Sequence, residues 1–159
     1  MTTLHLLHGF IGAGKTTFAK RLAYEISAMR FTPDEWMVKL YGSNPPEAEF
    51  PNYLERVTEL IWQMTEQLIQ LDQEVILDFG FWSRASRDEA RSKASELNAN
   101  TKLYLITVPE SIMKKRVQRR SYELPEGTLM IDAHAFESFK HCFEPLGYDE
   151  PHVVISTDV

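Results

Sequence analysis

Gly9-Phe10-Ile11-Gly12-Ala13-Gly14-Lys15-Thr16 matches the pattern G-x-x-x-x-G-K-[ST] in full. It follows directly on Thr3–His8, an apolar run that reads as a strand. It runs directly into Lys15–Ile26, where Phe18, Leu22 and Ile26 recur every four residues and predict a helix. Between a strand and a helix, the glycines let the backbone curl so that successive N–H groups converge on a phosphate. The helix N-terminus adds its positive end to the same spot. Lys15 is placed to bridge β- and γ-phosphates, and the Thr16 hydroxyl to ligate Mg²⁺. Gly9, Gly12, Ala13, Gly14, Lys15, Thr16 and Thr17 are therefore the candidate nucleotide-binding residues. A glycine-rich turn that binds nothing is the plain alternative.

Outward from this loop, strand-like and helix-like segments alternate, the pattern of an α/β protein with a mostly parallel sheet. A short second strand is expected at 29–32, before Pro33, and residues 42–51, with three prolines, read as loop. A long helix is expected over 53–71, with Leu54, Val57, Ile61, Met64, Leu68 and Leu71 in one core-facing stripe. Residues 74–79 form a nearly continuous apolar run, as in a strand buried on both faces. Helix at 86–97, strand at 103–108, helix at 110–121, loop at 122–128, helix at 133–143 and strand at 152–156 complete the alternation.

The whole chain of 159 residues suits one domain. Its formal net charge of -6 argues against an extended nucleic-acid or anionic-membrane surface, which needs positive potential. The single cysteine, Cys142, forbids an internal disulfide and points to a reducing compartment. Its helical setting suggests a buried thiol. No apolar run approaches the length that spans a bilayer, so a cytoplasmic protein is expected.

Val75-Ile76-Leu77-Asp78 ends a hydrophobic strand in a carboxylate, the form of a Walker B element, which makes Thr16 and Asp78 the candidate metal ligands. Phe79 and Gly80 follow, without the acidic neighbour that motor ATPases use to activate water. A solvated strand end is the alternative for Asp78. Asp34, in Thr32-Pro33-Asp34-Glu35-Trp36, reads two ways. It is either an acid in the first turn of a helix or a general base for a phosphate acceptor.

Lys114-Lys115-Arg116 with Arg119-Arg120 is the densest basic cluster, and Arg116, Arg119 and Arg120 fall at i, i+3, i+4. It leads into a Pro/Gly loop, the makeup of a lid at about 114–130 that carries arginines onto a transferring phosphoryl group. A solvated charged face is the alternative. Arg84 and Arg87 form a smaller basic pair that faces the acceptor or is plain surface. Trp36, Tyr41, Phe81 and Trp82 either stack on an acceptor or pack in the core. The five histidines show no metal-ligand spacing. No Asn-Lys-x-Asp guanine-reading motif occurs, which favours ATP over GTP.

With these pieces in place the chain resembles the AAA_33-type P-loop predicted kinases, relatives of chloramphenicol phosphotransferase, zeta toxins and nucleoside monophosphate kinases. The resemblance is carried by Gly9 to Thr17, by Thr32 to Trp36, and by VILDFGFWSRASR at 75–87. Arg116 to Arg120 with Pro125-Glu126-Gly127-Thr128, and Phe143-Glu144-Pro145, extend it over nearly the whole chain. It implies a P-loop NTPase three-layer αβα sandwich with a five-stranded parallel sheet in the order 2-3-1-4-5. It implies ATP as donor and Mg²⁺ as cofactor. It implies that Asp34 matches the phosphotransferase base; with the phosphate loop and the basic cluster read above, the expected catalytic set is Lys15, Asp34, Arg116 and Arg120, with Arg119 on the nucleotide. The expected activity is γ-phosphate transfer to a hydroxyl of a small-molecule acceptor, by a monomer or homodimer. An NTPase or a nucleotide-binding module without an acceptor is the alternative. The relatives act on very different molecules, so the acceptor is not named by the resemblance.

Overall fold

The computed structural model describes residues 1–123 and 131–157. The elements run β1 (Thr3–His8), α1 (Lys15–Ile26), β2 (Met29–Phe31), α2 (Pro33–Tyr41), α3 (Phe50–Gln70), β3 (Val75–Gly80), α4 (Arg84–Glu96), β4 (Asn100–Thr107), α5 (Glu110–Glu123), α6 (Ala133–Lys140) and β5 (Val153–Ser156). The strands form one sheet in the order β2-β3-β1-β4-β5, with every pairing parallel. This is the order and the α/β layering that the resemblance implied.

β1 and β3 lie at the centre, and with both faces covered they bury nearly every residue, the polar His5, His8 and Asp78 included. Alternation along the strands sorts the core into two layers. Leu4, Leu6, Val75, Leu77 and Leu103 pack with Val57, Ile61 and Ile69 of α3 and with Ala90 and Ala94 of α4. Leu7, Ile76, Tyr104 and Ile106 pack with Phe18, Ala19 and Leu22 of α1. The same alternation puts Asp78, two residues past Ile76, on the α1 side of the sheet. Since all strands are parallel, the loops after β1, β2 and β3 collect at one end, where open α/β sheets hold their ligands.

Several boundaries differ from the sequence reading for local reasons. β2 stops at Phe31 because Thr32 becomes the extended N-cap of α2. α3 ends at Gln70, so Leu71 leaves the expected core stripe and stands 76% exposed. α6 ends at Lys140 rather than running to 143. Phe143 leaves the helix axis to stack on His8, ring centroids 4.7 Å apart, and the Glu144 N–H donates to Trp82 O at 2.7 Å. Cys142 is consequently exposed in the turn, not buried in a helix. Among the described residues no helix is long and apolar enough to cross a membrane.

Candidate functional site

The loop between β1 and α1 is held from both ends. Gly9 N–H donates to Gly80 O at 3.1 Å, and Ala13 N–H to Phe10 O at 3.1 Å. Phe10 is buried in an aromatic nest, 5.1 Å from Phe136 and 5.2 Å from Trp82 between ring centroids. The Trp82 indole N–H donates to Gly9 O at 3.1 Å. Gly12 has φ 83°, and a Cβ there would sit 2.6 Å from the Met113 carbonyl oxygen, so only glycine fits. Gly14, at φ 95°, is the N-cap of α1 and offers no side chain to the first-turn N–H groups, which are left for an anion.

Lys15 follows, its ammonium donating to Phe10 O at 3.2 Å. Burial pulls its pKa below the usual lysine value, the carboxylates of Asp78 and Asp34 pull it back up, and Arg120 adds a downward push. Thr16 Oγ donates to Asp78 Oδ2 at 2.7 Å, and Thr32 Oγ donates to the same oxygen at 2.9 Å. The second oxygen, Oδ1, is buried with no hydrogen-bond partner. Burial raises the Asp78 carboxyl, against the pull of Lys15 and the two hydroxyls.

A buried, orphaned carboxylate oxygen beside a threonine hydroxyl is an all-oxygen donor pair, which suits a hard cation such as Mg²⁺. Among the described residues no group of three or more His, Cys, Asp or Glu could hold a metal alone. Mg²⁺ is instead commonly held by one or two protein groups together with phosphates and water.

Asp34 sits in the first turn of α2, beside this cluster. It keeps contact with solvent, and among the described residues no group hydrogen-bonds its carboxylate. Asp34 is thus an acid of the first turn of α2, as its plain reading has it, without a hydrogen bond from the described backbone. The surrounding protein pushes its carboxyl up by desolvation; Lys15 and then Arg120 pull it down, and Glu35 adds to the rise. Arg120, on α5, is half-buried. Burial lowers its pKa, the charges of Asp34 and Asp78 raise it, and Arg116 lowers it further. Lys15, Thr16, Asp34, Asp78 and Arg120 thus form one electrostatic unit at the carboxyl end of the sheet.

The other candidates lie elsewhere. Arg116 turns behind the loop: its Nη1 donates to Gly12 O at 3.2 Å and to Thr157 Oγ at 3.1 Å, and its Nη2 to Thr157 O at 2.6 Å. Thr157 Oγ in turn donates to Ala13 O. Arg119 points to solvent, its side chain 78% exposed and paired with Glu123 at 3.2 Å. Thr17 is exposed. Residues 124–130 of the expected lid lie outside the described residues.

Arg84 and Arg87 are both held by carboxylates. Arg87 is wholly buried against Glu150 at 2.8 Å, and Arg84 pairs with Asp149 at 2.8 Å and Asp88 at 3.1 Å. Phe81 is buried at φ 46°, and its carbonyl accepts from His8 Nδ1 and Arg87 Nη1, both at 2.9 Å. Trp82 is a brace for the phosphate loop. Tyr41 is stacked on Tyr53 at 3.8 Å, and Trp36 packs on the core. Packing accounts for all four aromatics. Thr157 and Glu150 carry no local signal in the sequence; Thr32 belongs to the Thr32–Trp36 segment, but its bond to Asp78 does not show there.

The AAA_33 family, described as an AAA domain, matches residues 4–146. The chain belongs to this family. Solved structures extend the likeness. Kti12 from Chaetomium thermophilum, in complex with ADP-AlF3, is 15% identical over 98% of this chain and 89% of its own, with a TM-score of 0.72. A gluconokinase from Sinorhizobium meliloti is 14% identical over 96% and 81%, at 0.66. The APS kinase CysC from Mycobacterium tuberculosis, in complex with AMPPNP and APS, is 16% identical over 99% and 90%, at 0.63. At such identities the likeness is one of fold. This AAA_33 chain has a P-loop, kinase-like fold.

Proposed function

We propose that this AAA_33 protein is a kinase that transfers the γ-phosphate of Mg-ATP to a hydroxyl of a small-molecule acceptor. The observation that carries the reading is the position of Asp34. Among the described residues no group hydrogen-bonds its carboxylate, which is exposed to solvent and interacts electrostatically with Lys15 and Arg120.

The loop N–H groups and Lys15 hold the β- and γ-phosphates. Thr16 and Asp78 would hold Mg²⁺, which supplies charge neutralisation at the phosphate oxygens. Asp34 accepts the acceptor's hydroxyl proton as that oxygen bonds to the γ-phosphorus and the bond to ADP breaks. Arg120 balances the charge on the transferring group. Arg116 contributes by holding the loop from behind.

The test is ADP formation across a panel of hydroxyl acceptors: nucleosides, nucleoside monophosphates, aminoglycosides, amphenicols, sugars and short nucleic-acid ends. Acceptor-dependent turnover that vanishes in Lys15→Ala is the expected result. Turnover indifferent to every acceptor would instead indicate an NTPase.

A further inference from the structure

Thr32 occupies a capping position and does not cap. It is the extended N-cap residue of α2, with φ -120° and ψ 100°, and its side chain makes no bond to the helix. The corresponding residues of two other helices behave differently. Ser83 accepts from Ser86 N–H at the start of α4, and Asp132 from Ala135 N–H at the start of α6. A side-chain cap is worth about 1 kcal/mol to a helix, so its omission at α2 calls for another role.

That role is visible in the bonds the hydroxyl does make. Arg30 Nη1 lies 2.5 Å from Thr32 Oγ and is itself held by Glu35 Oε1 at 2.9 Å. A guanidinium only donates, so the Thr32 oxygen is the acceptor there. Its single proton is left for Asp78 Oδ2, at 2.9 Å. Thr16 places its own proton on the same oxygen. Asp78 therefore has two donors on Oδ2, and Oδ1 is buried and free. Thr32 is 5% exposed, so water does not compete for this bond.

We propose that Thr32 is a positioning residue for the metal-binding carboxylate. By giving Oδ2 a second donor beside Thr16, it stops the carboxylate turning and leaves Oδ1 as the oxygen presented to Mg²⁺. Arg30 sets the direction of the Thr32 proton and Glu35 holds Arg30, so the chain Glu35–Arg30–Thr32–Asp78 orients a ligand without touching the ion. The inference rests on the Mg-ATP reading of the same site.

The test compares wild type with Thr32→Val, which removes the hydroxyl at nearly constant shape, and Thr32→Ser, which restores it. Binding of AMPPNP is measured by calorimetry across a Mg²⁺ series and in EDTA. Loss of one hydrogen bond to a charged group predicts a Mg²⁺ midpoint raised about tenfold in Thr32→Val. The EDTA affinity should be unchanged, and Thr32→Ser should return to the wild-type midpoint. General damage to the fold would weaken both arms and would not be rescued selectively. Should Thr32→Val fold poorly, Thr32→Ala carries the same expectation. A wild-type midpoint in the valine and alanine variants, or a serine variant that behaves like valine, overturns the assignment. If wild type binds AMPPNP in neither arm, the kinase reading itself falls, and this inference with it.

Discussion

Arg87 and Glu150 meet at 2.8 Å with side chains 0% and 1% exposed, across 63 residues of sequence. The same guanidinium donates to Phe81 O, Trp82 O, Glu144 O and Pro145 O. One buried side chain thus fastens the turn after β3, where Trp82 reaches the phosphate loop, to the segment before β5.

Removing one member of a buried pair leaves the other uncompensated, which costs about 3 kcal/mol or more. Glu150→Gln should lose that much stability at pH 7. Burial alone would raise the Glu150 carboxyl, but hydrogen bonds from Arg87, the Gly147 amide and Arg91 outweigh it and bring the group from 4.5 to about 2. A carboxylate depressed in the folded state contributes stability above its unfolded pKa and loses it as the pH falls through the folded one. Denaturant titrations should therefore show the gap between wild type and Glu150→Gln closing from about pH 4.5 towards pH 2. A gap that stays constant would mean that the charge is not its source.

Thr157 and Arg116 support the phosphate loop from behind, through Ala13 O and Gly12 O. Thr157→Val removes the bond to Ala13 O and the one from Arg116 Nη1, and should weaken ATP binding about fivefold or more, at about 1 kcal/mol for each bond. Arg116→Met, which removes three such bonds, should weaken it further. Amide exchange of residues 9–17 in the nucleotide-free protein should speed up in both variants. Unaltered exchange would show that the loop is rigid without them.

Gly12 and Gly42 share the left-handed region, at φ 83° and 84°, but differ in surroundings. A methyl on Gly12 meets the Met113 backbone, whereas one on Gly42 meets nothing within 4 Å. Gly42→Ala should cost only the conformational strain, about 1–3 kcal/mol for a backbone at φ 84° and ψ 173° that is essentially restricted to glycine. Gly12→Ala should cost more and abolish nucleotide binding, because the loop must move to admit the methyl. Thermal unfolding and ATP binding of the two variants separate these effects.

Arg120 and Arg119 are neighbours in sequence with opposite surroundings, one coupled to Asp34 and the other in solvent beside Glu123. Arg120→Ala should lower turnover about a hundredfold or more, as loss of a group aimed at transition-state charge does. Arg119→Ala should change it little, since exposed pairs contribute at most about 1 kcal/mol. Equal losses in steady-state assays would place Arg119 on the phosphates after all.

Much of this was legible in the sequence because it is local. The phosphate loop is a contiguous motif, and the apolar runs of β1 and β3 announce central strands. Asp78 declared itself by ending one of those runs. The contacts that local sequence does not show act across the chain: Thr32 on Asp78 over 46 residues, Thr157 on Ala13 over 144, and Glu150 on Arg87 over 63. Arg84 and Arg87 looked like a basic pair free for a ligand because their carboxylate partners lie far downstream. Helical spacing put Arg116, Arg119 and Arg120 on one face, but packing of α5 against the loop gave each a different environment. Cys142 was misplaced because periodicity does not show that Phe143 is drawn off to His8.

The most direct measurement is a comparison of Asp34→Asn with wild type, taking acceptor-dependent turnover and the Kd for Mg-ATP from the same preparations. Loss of a general base predicts turnover lowered by about a hundredfold or more while the Kd stays essentially unchanged. Turnover that survives the substitution, or a loss of nucleotide binding equal to the loss of rate, would contradict the role of Asp34 as the base.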